Sequence, residues 1–461
     1  MVRTRIAPSP TGEDLHIGNL YTALINWVVA KKNNGKFIVR IEDTDRSRLI
    51  KGSEDRILST LKSFGLNPDE SPLKMADFGP YRQSERLEIY KKYVDLLIEK
   101  GAAYRCFCSK ERLVELRNKQ QAEKKVPKYD KHCLRQVTSN KSYVIRLNVP
   151  ENKEIVFEDI IRGEIKFNSN DIDDQVLIKS DGYPTYHLAV VIDDYLMKIS
   201  HVIRAEEWIS STPKHILIYE ALGWEKPIFA HLPILRNPDK SKLSKRKNPV
   251  WASWYLNEGY LPEAILNYLS LMGWSHPEQN EIFSLDEFVK VFELKDVLSV
   301  GPVFDVRKLE WMNGEYIRAM EIRQLEDSIF NFHKGKYSKE LIKKTSPLVQ
   351  ERIKTLKEYD EYCEFFIQKP TKYDVNLTNY QNMLSVVSRQ LSAVSEADWH
   401  ADKIGKVMQL VATELKMKNS EFFMILRVAI TGKKISPPLN DSMEILGKEE
   451  CLERIKSIIK D

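Results

Sequence analysis

"APSPTGEDLHIGNL", residues 7 to 20, sets two prolines, two glycines and one histidine directly ahead of an apolar run, "LYTALINWVVAKK" (20–32). Pro8, Pro10 and Gly12 break any strand or helix, whereas the run that follows has the pattern of a helix. The stretch predicts a loop that delivers His16 and Gly18 to a helix start. Free backbone N–H groups and the positive end of the dipole make such a start a natural anion pocket. A phosphate site is therefore one reading; an ordinary loop with an incidental histidine is the other.

The surroundings favour an α/β protein. "KFIVRIEDTDRSR" (36–48) begins as a β-branched strand and ends in charges, and residues 53–100 alternate helical patterns with loops marked by Pro and Gly. Strand, loop and helix in that order suggest a doubly wound domain. Residues 104–190 read as mostly antiparallel strands, through "SYVIRLNVP", "EIVFEDIIRGEIKF" and "DQVLIKSDGYPTYHLAVVIDD", like an insertion. "ISHVIRAEEW" (199–208) returns to strand-then-helix. From about residue 252 the pattern turns helical, and residues 321–461 hold only four glycines (335, 405, 432, 447), which favours a helical domain.

Length and composition agree with this division. A chain of 461 residues has room for about three domains. At 42% hydrophobic and 30% charged it can bury several cores. The formal charge of +5 does not by itself point to nucleic acid. No apolar h-region opens the sequence and no run of 18 apolar residues is present, so a cytoplasmic chain beginning at Met1 is expected. Five cysteines in so long a chain do not make a disulfide framework. GxGxxG and GxxxxGK[ST] are both missing, so neither common nucleotide motif explains the opening loop.

A second stretch decides how to read the first. "LRNPDKSKLSKRK" (235–247) carries six lysines and arginines in thirteen residues, after a turn marked by Asn237, Pro238 and Asp239. Alone it is a solvated basic loop. Paired with a histidine–glycine helix start, it can close over a triphosphate and neutralise the charge that builds as pyrophosphate leaves.

"HIGN" (16–19) and "KLSKR" (242–246) resemble the two signature motifs of class I aminoacyl-tRNA synthetases, usually written HIGH and KMSKS. "RIAPSPTG", "FIVRIEDTDRSR", "GPYRQSER", "KSDGYPTYHLA", "VIRAEEW" and "GPVFDVRKLEWMNGEYIR" narrow the likeness to the bacterial-type glutamyl-tRNA synthetase family over about residues 1–320, and more loosely beyond. Asn19 replaces the last histidine of the first motif and Leu243 the methionine of the second. The resemblance implies a Rossmann-like catalytic domain in two halves (1–103 and 187–236) around an inserted α+β acceptor-stem-binding domain (104–186). A helical stem-contact region (237–320) and an all-α anticodon-binding domain (321–461) would follow.

The same resemblance implies a ligase that joins L-glutamate to tRNA-Glu through a glutamyl-adenylate, using ATP with Mg²⁺, as a monomer. Positioning and charge stabilisation would dominate the chemistry. By resemblance His16, Gly18, Glu207, Trp208, Leu235, Lys242, Ser244 and Lys245 hold ATP, with His16 and Lys245 catalytic. Arg5, Ala7, Ser9, Glu42, Tyr186 and Arg204 hold glutamate, with Glu42 accepting from the α-ammonium. An arginine fork matches a carboxylate in two parallel hydrogen bonds and is left facing an amide in glutamine. Such a site rejects the analogue without editing.

"YRCFCSK" places Cys106 and Cys108 one residue apart, and "KYDKHC" supplies Tyr129, His132 and Cys133. Some family members carry zinc here with C-x-C followed by C-x-H, but two residues after Cys133 stands Arg135. Either Tyr129 or His132 completes a Zn²⁺ site with the three cysteines, or these are reduced thiols without a metal. Arg352, in "ERIKTLKEY", resembles an anticodon-domain arginine tied to discrimination between tRNA-Glu and tRNA-Gln. Two other functions share parts of this pattern. A shorter relative that attaches glutamate to a modified tRNA base lacks the C-terminal domain. A catalytically dead RNA-binding paralogue would have a broken ATP motif, yet His16, Gly18 and Lys245 are all present.

Overall fold

In the computed structural model, which describes residues 1–134, 142–243 and 249–460, the opening loop joins a strand to a helix. The order is β1 (Arg3–Ile6), α1 (Ile17–Lys32), β2 (Lys36–Val39), α2 (Ser53–Ser63), α3 (Leu87–Glu99), β3 (Ala103–Cys106) and α4 (Lys110–Ala122). There follow β4 (Val144–Leu147), β5 (Glu154–Asp159), β6 (Gly163–Asn168), β7 (Val176–Ile178), α5 (Tyr186–Leu196), β8 (His201–Ala205), α6 (Thr212–Leu222) and β9 (Ile228–Leu232). Beyond β9 the described residues form helices and loops.

β1 and β2 are parallel, Arg3 opposite Lys36 through Ile6 opposite Val39, with α1 as the crossover. Ten of the sixteen residues of α1 are buried, so it is a core helix covered on more than one face. β8 and β9 are also parallel, and the Ser200 N–H donates to the Arg3 carbonyl (3.0 Å), which carries β1 alongside β8. Parallel strands side by side open a crevice at their carboxyl ends, where ligands of α/β sheets bind.

Part of the stretch expected to form an insertion joins this layer. The β5–β6 hairpin pairs through β5 with β9, in the order β6-β5-β9-β8, while β3, β4 and β7 form a separate antiparallel sheet. Residues 186–194, read with the strands, are instead the body of α5. Seven consecutive residues, Leu188 to Asp194, are buried there. A helix covered all round loses the polar face that distinguishes it from a buried strand, and packing overrides the β preference of Val190, Val191 and Ile192.

The chain divides into two compact units, Met1–Leu256 with Pro262–Val306, and Asn257–Leu261 with Arg307–Asp461. The secondary-structure elements of the second, among the described residues, are all helices. Its helices Gln381–Ser392, Ala401–Glu414, Asn419–Thr431 and Lys448–Lys460 close on one core that includes Leu384, Leu391, Ile404, Met408, Phe422 and Ile455. No helix among the described residues is long and apolar enough to cross a membrane.

Candidate active site

At the carboxyl ends of β1 and β8 lies a cavity of about 700 Å³. Arg5, Ala7, Ser9, Glu42, Tyr186 and Arg204, the six residues expected to hold glutamate, all line it, as do Glu207 and Trp208. Tyr186 and Trp208 meet ring to ring at 4.2 Å. From α1 the cavity is reached by Asn19 and Thr22 rather than by His16 or Gly18.

Its floor is a buried ionic network. Arg5 binds both oxygens of Asp194 through Nε and one Nη (3.1 Å each). Arg40, fully buried, reaches Asp194 (2.7 Å), Glu42 (3.3 Å) and Asp193 (3.5 Å), and Arg86 reaches Asp193 (2.7 Å). Three guanidinium groups thus face three carboxylates. Burial works against the charge of Asp194, but Arg5 and Arg40 outweigh it and hold its pKa below the usual range. Glu42 goes the other way: burial pushes it up to about 7, and Arg40 and Arg5 recover only part of the shift. Arg5 therefore gives Nε and one Nη to Asp194 while still lining the cavity.

Arg204 differs from the other three. It is only 5% exposed, yet no carboxylate among the described residues lies within ion-pair distance. Four of its five N–H groups go to neutral acceptors: His231 Nε2 (3.1 Å), Tyr186 Oη (3.0 Å), His215 Nδ1 (3.2 Å) and Thr212 Oγ1 (2.8 Å). Burial lowers the pKa of His215 well below its ordinary value and that of His187 to about 4, so neither ring adds or removes charge at neutral pH. A buried cation without a counter-ion is costly. An anion entering the cavity relieves that cost. Tyr186, whose pKa burial raises, accepts from Arg204 and keeps its own proton to donate.

The start of α1 is built differently from the expected anion pocket. His16 is its N-cap, with Nδ1 accepting from the Gly18 N–H (3.0 Å). A Cβ at Gly18 would stand 3.2 Å from that nitrogen, so glycine lets the imidazole fold over the helix end. The Ile17 N–H donates to the Val250 carbonyl (2.7 Å) and the Asn19 N–H to the His16 carbonyl (2.8 Å). The first three backbone donors are therefore occupied, and what the helix offers an anion is its dipole.

The described segments that flank the second motif meet this part of the molecule. Ser244 and Lys245 lie outside the described residues, but the segments on either side of them are tied to the site. Before them, Lys242 pairs with Glu207 (2.5 Å) and the Leu243 N–H donates to the carbonyl of buried Leu235 (3.0 Å). After them, Val250 caps α1 and Trp251 packs edge-on against His16 at 6.4 Å. A Cβ on Gly12 would meet the Trp251 ring at 2.8 Å, so the opening loop needs glycine there. Leu235 and Lys242 themselves are outside the cavity lining.

A third cluster sits beside β3. The Sγ atoms of Cys106, Cys108 and Cys133 lie within 4.8 Å of one another. The Tyr129 hydroxyl is 3.3 Å from Cys106 and 3.2 Å from Cys108. His132, the other expected donor, is exposed and outside the cluster. In the second unit Arg352 is exposed, and its charge helps lower the pKa of Arg427, whose burial is the larger cause.

Sequence reasoning missed Arg40, Asp194, His215 and His231. Asp193 and Asp194 carried a signal, two adjacent acids inside the apolar run "LAVVIDDYL" (188–196). Single histidines at 215 and 231 carried none.

Residues 1–311 match the family model for class I tRNA synthetases (E and Q), catalytic domain, and residues 316–459 match an anticodon binding domain. A glutamate–tRNA ligase of Acidothermus cellulolyticus is 44% identical over 99% of this chain and 95% of its own length. One from Dehalococcoides mccartyi is 43% identical over 99% and 97%. Among solved structures, a glutamate tRNA ligase from Elizabethkingia meningosepticum, in complex with its amino acid, superposes with a TM-score of 0.85 at 35% identity, covering 100% of this chain and 99% of that one.

Proposed function

Because this chain belongs to the class I tRNA synthetases (E and Q), we propose that it is a glutamate–tRNA ligase, activating L-glutamate with ATP and passing it to the terminal adenosine of tRNA-Glu. The observation that carries the choice of amino acid is Arg204, a buried cation served only by neutral partners on the cavity wall. The side-chain carboxylate of glutamate is directed to Arg204 and the Tyr186 hydroxyl, and its α-ammonium to Glu42. Glutamine would leave the cation uncompensated and set its own amide N–H groups against donors.

ATP, as its Mg²⁺ complex, takes the space beside Glu207 and Trp208 with its phosphates toward the positive end of α1. The glutamate α-carboxylate attacks the α-phosphorus, the bond to pyrophosphate breaks, and Lys242 with Lys245 neutralises the departing charge. Lys242 leaves Glu207 to do so, since it has one ammonium for two anions. A tRNA ribose hydroxyl then attacks the acyl carbon and AMP leaves. This reading includes action as a monomer in the cytoplasm, and reading of the anticodon by the second unit with Arg352 as a contact.

Cys106, Cys108, Cys133 and the Tyr129 hydroxyl fit Zn²⁺ by donor type and convergence. They would hold it as a structural ion that cross-links β3 to the segment after α4. Charging of purified tRNA-Glu and tRNA-Gln side by side tests the function: glutamate on tRNA-Glu is expected, and incorporation on neither would refute the proposal.

A further inference from the structure

Arg204 takes its aim from groups that do not line the cavity. Its Nε–H points at Nε2 of His231, and Nδ1 of the same ring lies 2.6 Å from Oδ2 of Asp159. Both side chains are fully buried. A guanidinium can only donate, so Nε2 holds the lone pair and the ring proton sits on Nδ1, facing the carboxylate. The other oxygen, Oδ1, accepts the backbone N–H groups of Ile161 (3.0 Å), Arg162 (3.1 Å) and His231 (3.4 Å). The turn after β5 thus locks the carboxylate and leaves Oδ2 for the ring. Burial, only partly offset by Asp159, lowers the pKa of His231 and keeps the imidazole neutral.

We propose that Asp159 and His231 are a positioning pair, outside the substrate's reach, that fixes the imidazole tautomer and thereby holds the Arg204 guanidinium in register for the glutamate carboxylate. The inference rests on the glutamate reading above. A protonated Nε2 would face the Arg204 Nε–H donor to donor and turn instead to Thr212 Oγ1, 3.2 Å away, which already accepts from Arg204 Nη2, so the guanidinium would lose its acceptor at Nε and shift. The remaining imidazole contact works in the same sense: His215 Nδ1 accepts from Nη1, and its Nε2–H faces Nδ1 of His187 at 3.2 Å. A carboxylate at either histidine position would neutralise Arg204 before substrate arrived; a neutral ring orients it and leaves its charge for the ligand.

Asp159→Asn tests the tautomer without changing volume. The three backbone donors hold the amide oxygen at the Oδ1 position, so the NH₂ replaces Oδ2 and donates to Nδ1, driving the ring proton to Nε2. Charging of tRNA-Glu by the full-length variant should show KM for glutamate raised by roughly tenfold or more, with KM for ATP and the thermal midpoint near wild type. His231→Gln supplies an acceptor toward Arg204 and has no tautomer, so the double variant should return to the KM of His231→Gln alone. The positioning pair is refuted if Asp159→Asn leaves KM for glutamate within twofold of wild type. It is equally refuted if KM for ATP rises in parallel, or if the two substitutions multiply in the double variant. A wild-type chain that charges no glutamate would overturn the parent reading along with it.

Discussion

At Glu42 two guanidinium groups oppose burial, and burial wins. With its pKa up near 7 the carboxyl is half protonated at neutral pH and loses, as pH falls, the charge that an α-ammonium needs. The kcat/KM for glutamate should therefore drop as pH falls through about 7, approaching tenfold per unit, because this ratio reports ionisations of the free enzyme. His187, at about 4, and His215, lower than usual, stay neutral over that range. Glu42→Gln should flatten this limb and lower kcat/KM throughout; a wild-type profile already flat from pH 5.5 to 8 would rule the assignment out. The sign for stability is opposite. A folded pKa above the ordinary value means the protonated form favours folding, so this contribution is present at acid pH and lost as pH rises through about 7. At Arg204 the substitution to alanine removes the cationic partner of a desolvated carboxylate, a loss of ~2–5 kcal/mol. That is roughly 30- to 4,000-fold in kcat/KM for glutamate. ATP affinity measured without amino acid, and the thermal midpoint, should move little.

At the scale of elements, the loop and helix that open the chain were legible because Pro8, Pro10 and Gly12 interrupt the pattern and Leu20 to Lys32 restore it. The partners of the helix start were not, since Val250 lies far along the chain and only folding brings its carbonyl to the Ile17 N–H. Arg5 and Arg204 were both legible as pocket cations. Their difference, one neutralised by Asp194 and the other left charged among His215, His231, Tyr186 and Thr212, depends on contacts between distant segments. α5 was misread because its buried run has no polar face to betray the helical period. The cysteine cluster was legible as spacing, while the closeness of the Tyr129 hydroxyl, and not of His132, to these thiols needed the fold. Elemental analysis of the purified chain should find one zinc per molecule, and Cys108→Ser should lose it and lower the thermal midpoint without raising KM for glutamate. No metal after zinc-supplemented growth would leave three reduced thiols.

For the whole molecule, a formal charge of +5 understates what a tRNA meets, because basic residues such as those at 235–247 are gathered locally. If six or more phosphates are contacted, affinity for tRNA-Glu should fall by roughly 10³-fold or more between about 50 and 200 mM salt. A flat response would contradict an extended interface. A chain ending near residue 320 should still bind glutamate and ATP but charge tRNA poorly; undiminished charging would mean that the helical unit does not read tRNA. Selection of the substrate by a buried and uncompensated cation is decided by competing amino acids on one tRNA. The measurement is kcat/KM for glutamate against glutamine in charging tRNA-Glu with the intact wild-type chain. A preference for glutamate of roughly 10⁴-fold or more is expected without any editing step. A ratio within about tenfold would mean that losing one pairing with Arg204 costs no more than an ordinary hydrogen bond, and that Arg204 does not select the substrate.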